Sequence, residues 1–414
     1  MFKSKYIYLD NASSTPIDKR VINLMSIYNK NLYSNPTSIH SSGVKVREII
    51  EESRGKIAKG LNAHSDEIIF TGSSTESNAL AILGLINNYK LKINNLNSNK
   101  IIPHIVTSQI EHPAVLENCR LLEERGEAEV TYVSVAKNGI LNLEELKDSL
   151  KENTVLVSIM YANNEIGTIQ PMQEIAKIIR HFRKTSKISK PGMDIYPLFH
   201  TDATQAMNYL DTSNVEKLGV DMLSFNGTKI YGPKGIGVLY KKRSVELSPI
   251  YEGGDQEFGL RSGTESVATI AGMSLAFEII NKMKVKESER LTHIRDYAVD
   301  KLLKIKVSPY KIILNGDPKE RLPNNINISI TGISSELLVI ELDAKGIEVS
   351  AKSACKSDDD TGSYVIKAIR KICKKNNEEE GSLRITLGRQ TKKADIDKMV
   401  SVLNKILITY SKWK

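Results

Sequence analysis

A series of short apolar runs between Glu67 and Phe225 limits what this chain can fold into more than any other feature. EIIF (Glu67 to Phe70), HIVTS (His104 to Ser108), VTYVSV (Val130 to Val135), TVLVSIM (Thr154 to Met160), LFHTD (Leu198 to Asp202) and MLSF (Met222 to Phe225) have the length and β-branched content of strands. Helical patterns separate them. Strands that alternate with helices are joined by right-handed crossovers into a mainly parallel sheet with helices on both faces, which makes the fold class α/β. Ahead of these runs, Ser41 to Ala63 sets Val44, Val46, Ile49, Ile50 and Ile57 mostly on one side of a 3.6-residue period, an amphipathic helix. Past about Gly259 the rhythm changes. A long helical segment begins near Thr264, and NNINISI (Asn324 to Ile330) and LRITLG (Leu383 to Gly388) follow as strands of a smaller lobe. Lys92 to Lys100 and Arg183 to Gly192 have the composition of surface loops.

Composition excludes several classes. Three cysteines in 414 residues cannot frame a disulfide-stapled fold, so a reducing compartment is expected and each thiol needs its own explanation. No apolar stretch reaches the ~20 residues of a membrane span, and the opening MFKSKYIYLD lacks a signal-peptide core, so the expected location is cytoplasmic. The net charge of +9 comes from lysines dispersed along the whole chain, which reads as a solvated surface; direct nucleic-acid binding is not expected.

In open parallel sheets ligands sit beyond the carboxyl ends of the strands, so polar residues following the apolar runs are the candidates. After EIIF comes TGSSTESNA, where Thr71, Gly72, Ser73, Ser74 and Thr75 lead into a helix. Exposed N–H groups, hydroxyls and the helix dipole suit a phosphate there, and the same residues suit an ordinary N-cap. His112 follows HIVTS, Asn163 and Asn164 follow TVLVSIM, and Asp202 with Gln205 ends LFHTD. In SFNGTKIYGPKGIG, Lys229 stands just past a strand among glycines, without the order of a nucleotide P-loop. An imine-forming lysine, a phosphate cup and an acid that keeps a ring nitrogen protonated are the three parts that pyridoxal phosphate requires. Cys119 and Cys373 fall in helical patterns, as small packing residues do. Cys355 differs: Lys352 and Lys356 favour its thiolate, whereas Asp358, Asp359 and Asp360 oppose it.

Read in order, YLDNASSTP, NPTSIH, FTGSSTESN, EHPAV, ANNEIG, HTDATQ, KIYGPKGIG, RSGTES, SAC and LRITLGR resemble the cysteine desulfurases, pyridoxal 5'-phosphate enzymes of the class V aminotransferase group with fold type I. The resemblance implies a large cofactor-binding domain at 15–258 and a small α+β domain formed by 1–14 and 259–414, with a mobile cysteine loop at about 350–363. It implies that Lys229 holds the cofactor as a Schiff base, Asp202 pairs with the pyridine nitrogen, His112 stacks on the ring and moves protons, and Gln205 bonds the phenolic oxygen. Ser74, Thr75, Asn226 and Thr228 would hold the phosphate, with Thr264 reaching the phosphate of a neighbouring subunit in a homodimer. Asn164 and Arg384 would bind the carboxylate of L-cysteine, and Cys355 would accept the sulfur as a persulfide. No metal is implied. The long segment around Cys355 resembles the branch that passes sulfur to an acceptor protein, such as an iron–sulfur cluster scaffold or a tRNA-thiolation protein. Asn226 and Thr228 depart from the Ser and His common in the family, and Asp255 from a common glycine. A selenocysteine lyase, another aminotransferase-like enzyme, and a catalytically silent binding subunit are the alternatives.

Overall fold

The computed structural model describes residues 6–95, 102–185, 196–351, 363–370 and 382–413. Its strands are β1 (Ile7–Tyr8), β2 (Ile68–Thr71), β3 (His104–Ser108), β4 (Glu129–Val133), β5 (Thr154–Ser158), β6 (Leu198–Asp202), β7 (Met222–Asn226), β8 (Gly237–Lys241), β9 (Ile312–Leu314), β10 (Asn325–Ile330), β11 (Ile347–Glu348), β12 (Ser350–Ala351) and β13 (Ser382–Thr386). Seven of them form one sheet in the order β2-β8-β7-β6-β5-β3-β4. The pairs β3–β4, β3–β5, β5–β6 and β6–β7 are parallel, whereas β8 runs antiparallel to both its neighbours. Strands β2, β3, β5, β6 and β7 are buried along their whole length, as a sheet covered on both faces requires. The mainly parallel α/β class follows directly. The antiparallel β8, GVLYK, has no sequence counterpart among the expected strands, because it begins at a glycine inside a turn-rich segment.

Buried Val46, Ile50, Ile57 and Leu61 set the inner face of helix Ser41–Leu61, and Asn62 at φ 54° ends it in the left-handed conformation. This helix and Lys19–Asn31 pack on the 37-residue helix Val267–Leu303, about 55 Å long at 1.5 Å per residue. Beyond it lies a second sheet, β12-β13-β10-β9, antiparallel throughout, while β1 pairs with β11 in a third. The two stretches expected as loops begin as helix: Leu85–Asn95 takes in the start of the first and Met172–Thr185 the start of the second, because a polar composition is compatible with a helix as well as with a loop. Among the described residues no helix is long and apolar enough to cross a membrane.

Candidate active site

The carboxyl ends of β3, β5, β6 and β7 open into one cavity, lined by His112, Met160, Ala162, Asn164, Asp202, Thr204, Gln205, Asn226 and Lys229. Ser74 and Thr75 enter from the start of helix Ser74–Ala79, Ala12 and Ser13 from the turn after β1, and Arg384 from β13. Residues from sequence positions 12 to 384 thus meet at the place where a parallel sheet binds ligands.

Each side chain is held by local geometry. Asp202 is the last residue of β6; its Oδ1 accepts from the Thr204 N–H at 2.9 Å and its Oδ2 from Asn78 Nδ2 at 2.7 Å. Asn226, the last residue of β7, caps the short turn Gly227–Lys229 through its Oδ1 and gives its Nδ2 to Ser74 Oγ at 2.7 Å. Lys229 follows in that turn and donates from Nζ to the Ser13 carbonyl. Ser13 Oγ accepts from Arg384 Nη2 at 2.6 Å, so the lysine and the arginine share one anchor. Arg384 also reaches Asp10 at 3.1 Å and the Asn164 carbonyl at 3.0 Å. Gln205 Nε2 donates to the Ala12 carbonyl at 3.0 Å.

His112 is the N-cap of helix Pro113–Glu124, and its Nδ1 accepts from the Ala114 N–H at 3.1 Å. In the neutral ring the proton is therefore on Nε2. Burial holds this imidazole below its ordinary pKa, Asp202 works against that shift, and Lys229 and Arg384 add to it. Neighbouring Glu111 is fully buried, with Ser108 Oγ at 2.6 Å and the Met160 N–H at 2.9 and 3.0 Å. Burial pushes its carboxyl up to about 8, against those hydrogen bonds.

The donor set fits pyridoxal phosphate. Ser74 and Thr75 stand in the first turn of a helix, whose N–H groups lack intrahelical partners, and Asn226 Nδ2 and Ser74 Oγ add side-chain polarity beside them. A Cβ on Gly237 would lie 2.4 Å from the Ser73 carbonyl, so glycine lets β8 press against this cup. Three polar atoms of the cavity's residues, Asn164 Oδ1, Thr204 Oγ1 and Arg384 Nε, are buried without a partner among the described residues, as expected of groups awaiting a polar ligand.

Two sequence candidates stand apart from the lining. Thr228 gives its carbonyl to the Thr15 N–H and Oγ1, and Thr264 is exposed in the segment before Val267. Cys355, Cys373 and the three aspartates after Cys355 lie outside the described residues. Sequence reasoning missed Asn78, Ser13 and Thr204 as supports of Asp202, Lys229 and Arg384; only their positions within TGSSTESNA, YLDNASSTP and HTDATQ hinted at them.

Comparison with known proteins agrees with this geometry. The family model for aminotransferase class-V matches residues 7–399. The chain is 43% identical to the cysteine desulfurase IscS of Dictyoglomus turgidum, covering 97% of this chain and 94% of the relative. It is 41% identical to cysteine desulfurase IscS 1 of Archaeoglobus fulgidus, covering 96% and 95%. A solved NifS-like protein superposes with a TM-score of 0.84 at 31% identity over 97% of this chain and 99% of that one. The structure of SspA in complex with cysteine has a TM-score of 0.73 at 31% identity over 92% and 98%. An α/β sheet that gathers a lysine, an aspartate and a histidine at its strand ends, together with these likenesses, means that the chain belongs to the class V aminotransferase family and, within it, to the cysteine desulfurases.

Proposed function

We propose that the chain is a pyridoxal-phosphate-dependent enzyme that converts L-cysteine to L-alanine and leaves the sulfur as a persulfide on Cys355. The observation that carries this reading is the meeting of Lys229, Asp202, His112 and Arg384 in one cavity. When bound, pyridoxal phosphate supplies an aldehyde for an amine and a ring that draws electrons from the adjoining carbon.

The chain's own residues supply the rest. Ser74, Thr75 and Asn226 would hold the phosphate, Asp202 would pair with the ring nitrogen, and Gln205 would bond the ring's oxygen. Thr228 supports the Lys229 turn through its carbonyl, and Thr264 serves the second subunit of a homodimer. Arg384 and Asn164 bind the substrate carboxylate, for which the guanidinium's two-pronged geometry suits. Lys229 Nζ takes the proton from the substrate's α-carbon, and His112 Nε2, the proton-bearing nitrogen, exchanges protons near the sulfur. The Cys355 thiolate forms an S–S bond to the substrate sulfur as the C–S bond breaks; the C–S electron pair stays with carbon, which is protonated to give alanine. A protein acceptor, such as an iron–sulfur scaffold or a tRNA-thiolation protein, then takes the sulfur. The same reading divides the chain into a cofactor lobe at 15–258 and a small lobe of 1–14 and 259–414, and places it in the cytoplasm.

Mass spectrometry of the loaded protein after mixing with L-cysteine tests the reading. One added sulfur mapped to Cys355, with stoichiometric alanine, is the expected result. Alanine release undiminished in Cys355→Ala would overturn the role of that thiol.

A further inference from the structure

We propose that Asn78 is a positioning residue that fixes the rotation of the Asp202 carboxylate so that one edge of it faces the cavity. The inference rests on the reading that pyridoxal phosphate occupies that cavity, and it extends that reading to a residue outside the lining.

Asn78 lies in helix Ser74–Ala79, four residues after Ser74 and three after Thr75, hence on the same helical face as the two residues that line the cavity. It is fully buried, and its Nδ2 donates to Asp202 Oδ2 at 2.7 Å while the Thr204 N–H holds Oδ1 at 2.9 Å. One donor on each oxygen stops the carboxylate from turning about its Cβ–Cγ bond and leaves the remaining lone pairs for a ligand. A second feature points the same way. Asn78 Oδ1 has no partner among the described residues, although a buried unpaired acceptor is costly. A residue serving packing alone gains nothing from such an atom. The amide's orientation is instead dictated by Asp202, since a flip would set its oxygen against a carboxylate.

The helix changes its winding close to Asn78. Two residues past Asn78 the coil widens into a π turn, Leu80–Gly84, a rare element that often marks functional sites. The extra residue in that turn resets the helix's register. Ser74 and Thr75 line the cavity and Asn78 reaches Asp202, while Leu80 and Ile82 within the turn and Leu85 and Ile86 after it are fully buried in an apolar cluster.

The test compares wild type, Asn78→Leu, Asn78→Asp, Asp202→Asn and the Asn78→Leu/Asp202→Asn double variant. Each full-length protein is stripped of cofactor and titrated with pyridoxal phosphate, recording affinity and visible spectrum against pH, with thermal unfolding of the stripped protein as the control for folding. Asn78→Leu is expected to bind about ten- to hundred-fold more weakly, the worth of one hydrogen bond to a charged group, with a shifted spectrum. The double variant should bind no more weakly than Asp202→Asn alone, because Asn78 acts through that carboxylate. Asn78→Asp keeps the shape of the side chain and safeguards the test if the leucine variant does not fold. Its affinity and spectrum should vary with pH along a different course from wild type, as the two adjoining carboxyls lose the proton that they share. Wild-type affinity and spectrum in Asn78→Leu, or in Asn78→Asp at every pH, would overturn the proposal and leave the cofactor reading intact, and additive losses in the double variant would do the same. Failure of the wild type to take up pyridoxal phosphate would sink both.

Discussion

Arg384→Lys tests substrate recognition most sharply, because it keeps the charge and removes only the geometry. Arg384 is 2% exposed; it bonds the Asn164 carbonyl through Nη1 and both Ser13 and Asp10 through Nη2. Its Nε has no partner among the described residues, which leaves donor capacity for a substrate carboxylate. An ammonium is a single point of charge on a flexible stem. It cannot hold Asp10 and Ser13 while also presenting two prongs. Losing one charge-assisted hydrogen bond to the substrate costs about 1.5–3 kcal/mol, or roughly 10- to 150-fold in binding at 1.4 kcal/mol per decade. The contact is made to the carboxylate, which does not react, so the loss should fall on KM more than on kcat. Steady-state alanine release against L-cysteine concentration reads both constants, and the visible absorbance of the variant shows that cofactor is retained. A variant with wild-type KM and full cofactor would refute the assignment. A variant that lost kcat alone would move Arg384 from binding to the chemical step.

Three further outcomes follow from buried groups. Glu111 keeps its proton in the folded protein up to about pH 8, whereas an ordinary glutamate loses it near 4.5, so wild-type stability should fall as pH rises between those values, by ~1.4 kcal/mol per unit. Glu111→Gln should remove that slope in urea unfolding measured across the window, and parallel curves for the two proteins would contradict the buried acid. Arg54 and Glu257 form a two-pronged pair at 2.7 and 2.9 Å with side chains only 4% and 2% exposed, and Glu257 also accepts from the Phe70 N–H. Glu257→Gln should cost up to ~3–5 kcal/mol in urea unfolding, because the buried Arg54 charge keeps only the exposed Glu51, 3.1 Å away, as its counter-charge, and a loss below ~1 kcal/mol would show that the pair is dispensable. Burial pushes the Cys119 thiol up to about 12, so iodoacetamide at neutral pH should leave it unmodified until denaturant is added; labelling in the native protein would refute its burial.

How much of this was legible in advance depends on the range of the forces involved. Strands such as HIVTS and LFHTD end in the structure at the residues where their pattern ends, because alternating apolar runs and helical periods are local properties. The order of the motifs sufficed to place His112, Asp202 and Lys229 at strand ends for the same reason. The antiparallel β8 escaped because a strand that opens on glycine carries little pattern, and the helical starts of two polar stretches escaped because composition describes a surface, not a conformation.

The α/β alternation and the residue types needed for imine chemistry are written in neighbouring positions, so the linear order of residues is enough to read them. That Arg384 meets Asp10 and Ser13, residues 374 and 371 positions away, and that Asn78 grips Asp202 across 124, follows from the folded arrangement alone. Such partners are chosen by which faces pack together once the sheets are assembled, and no local pattern carries that choice.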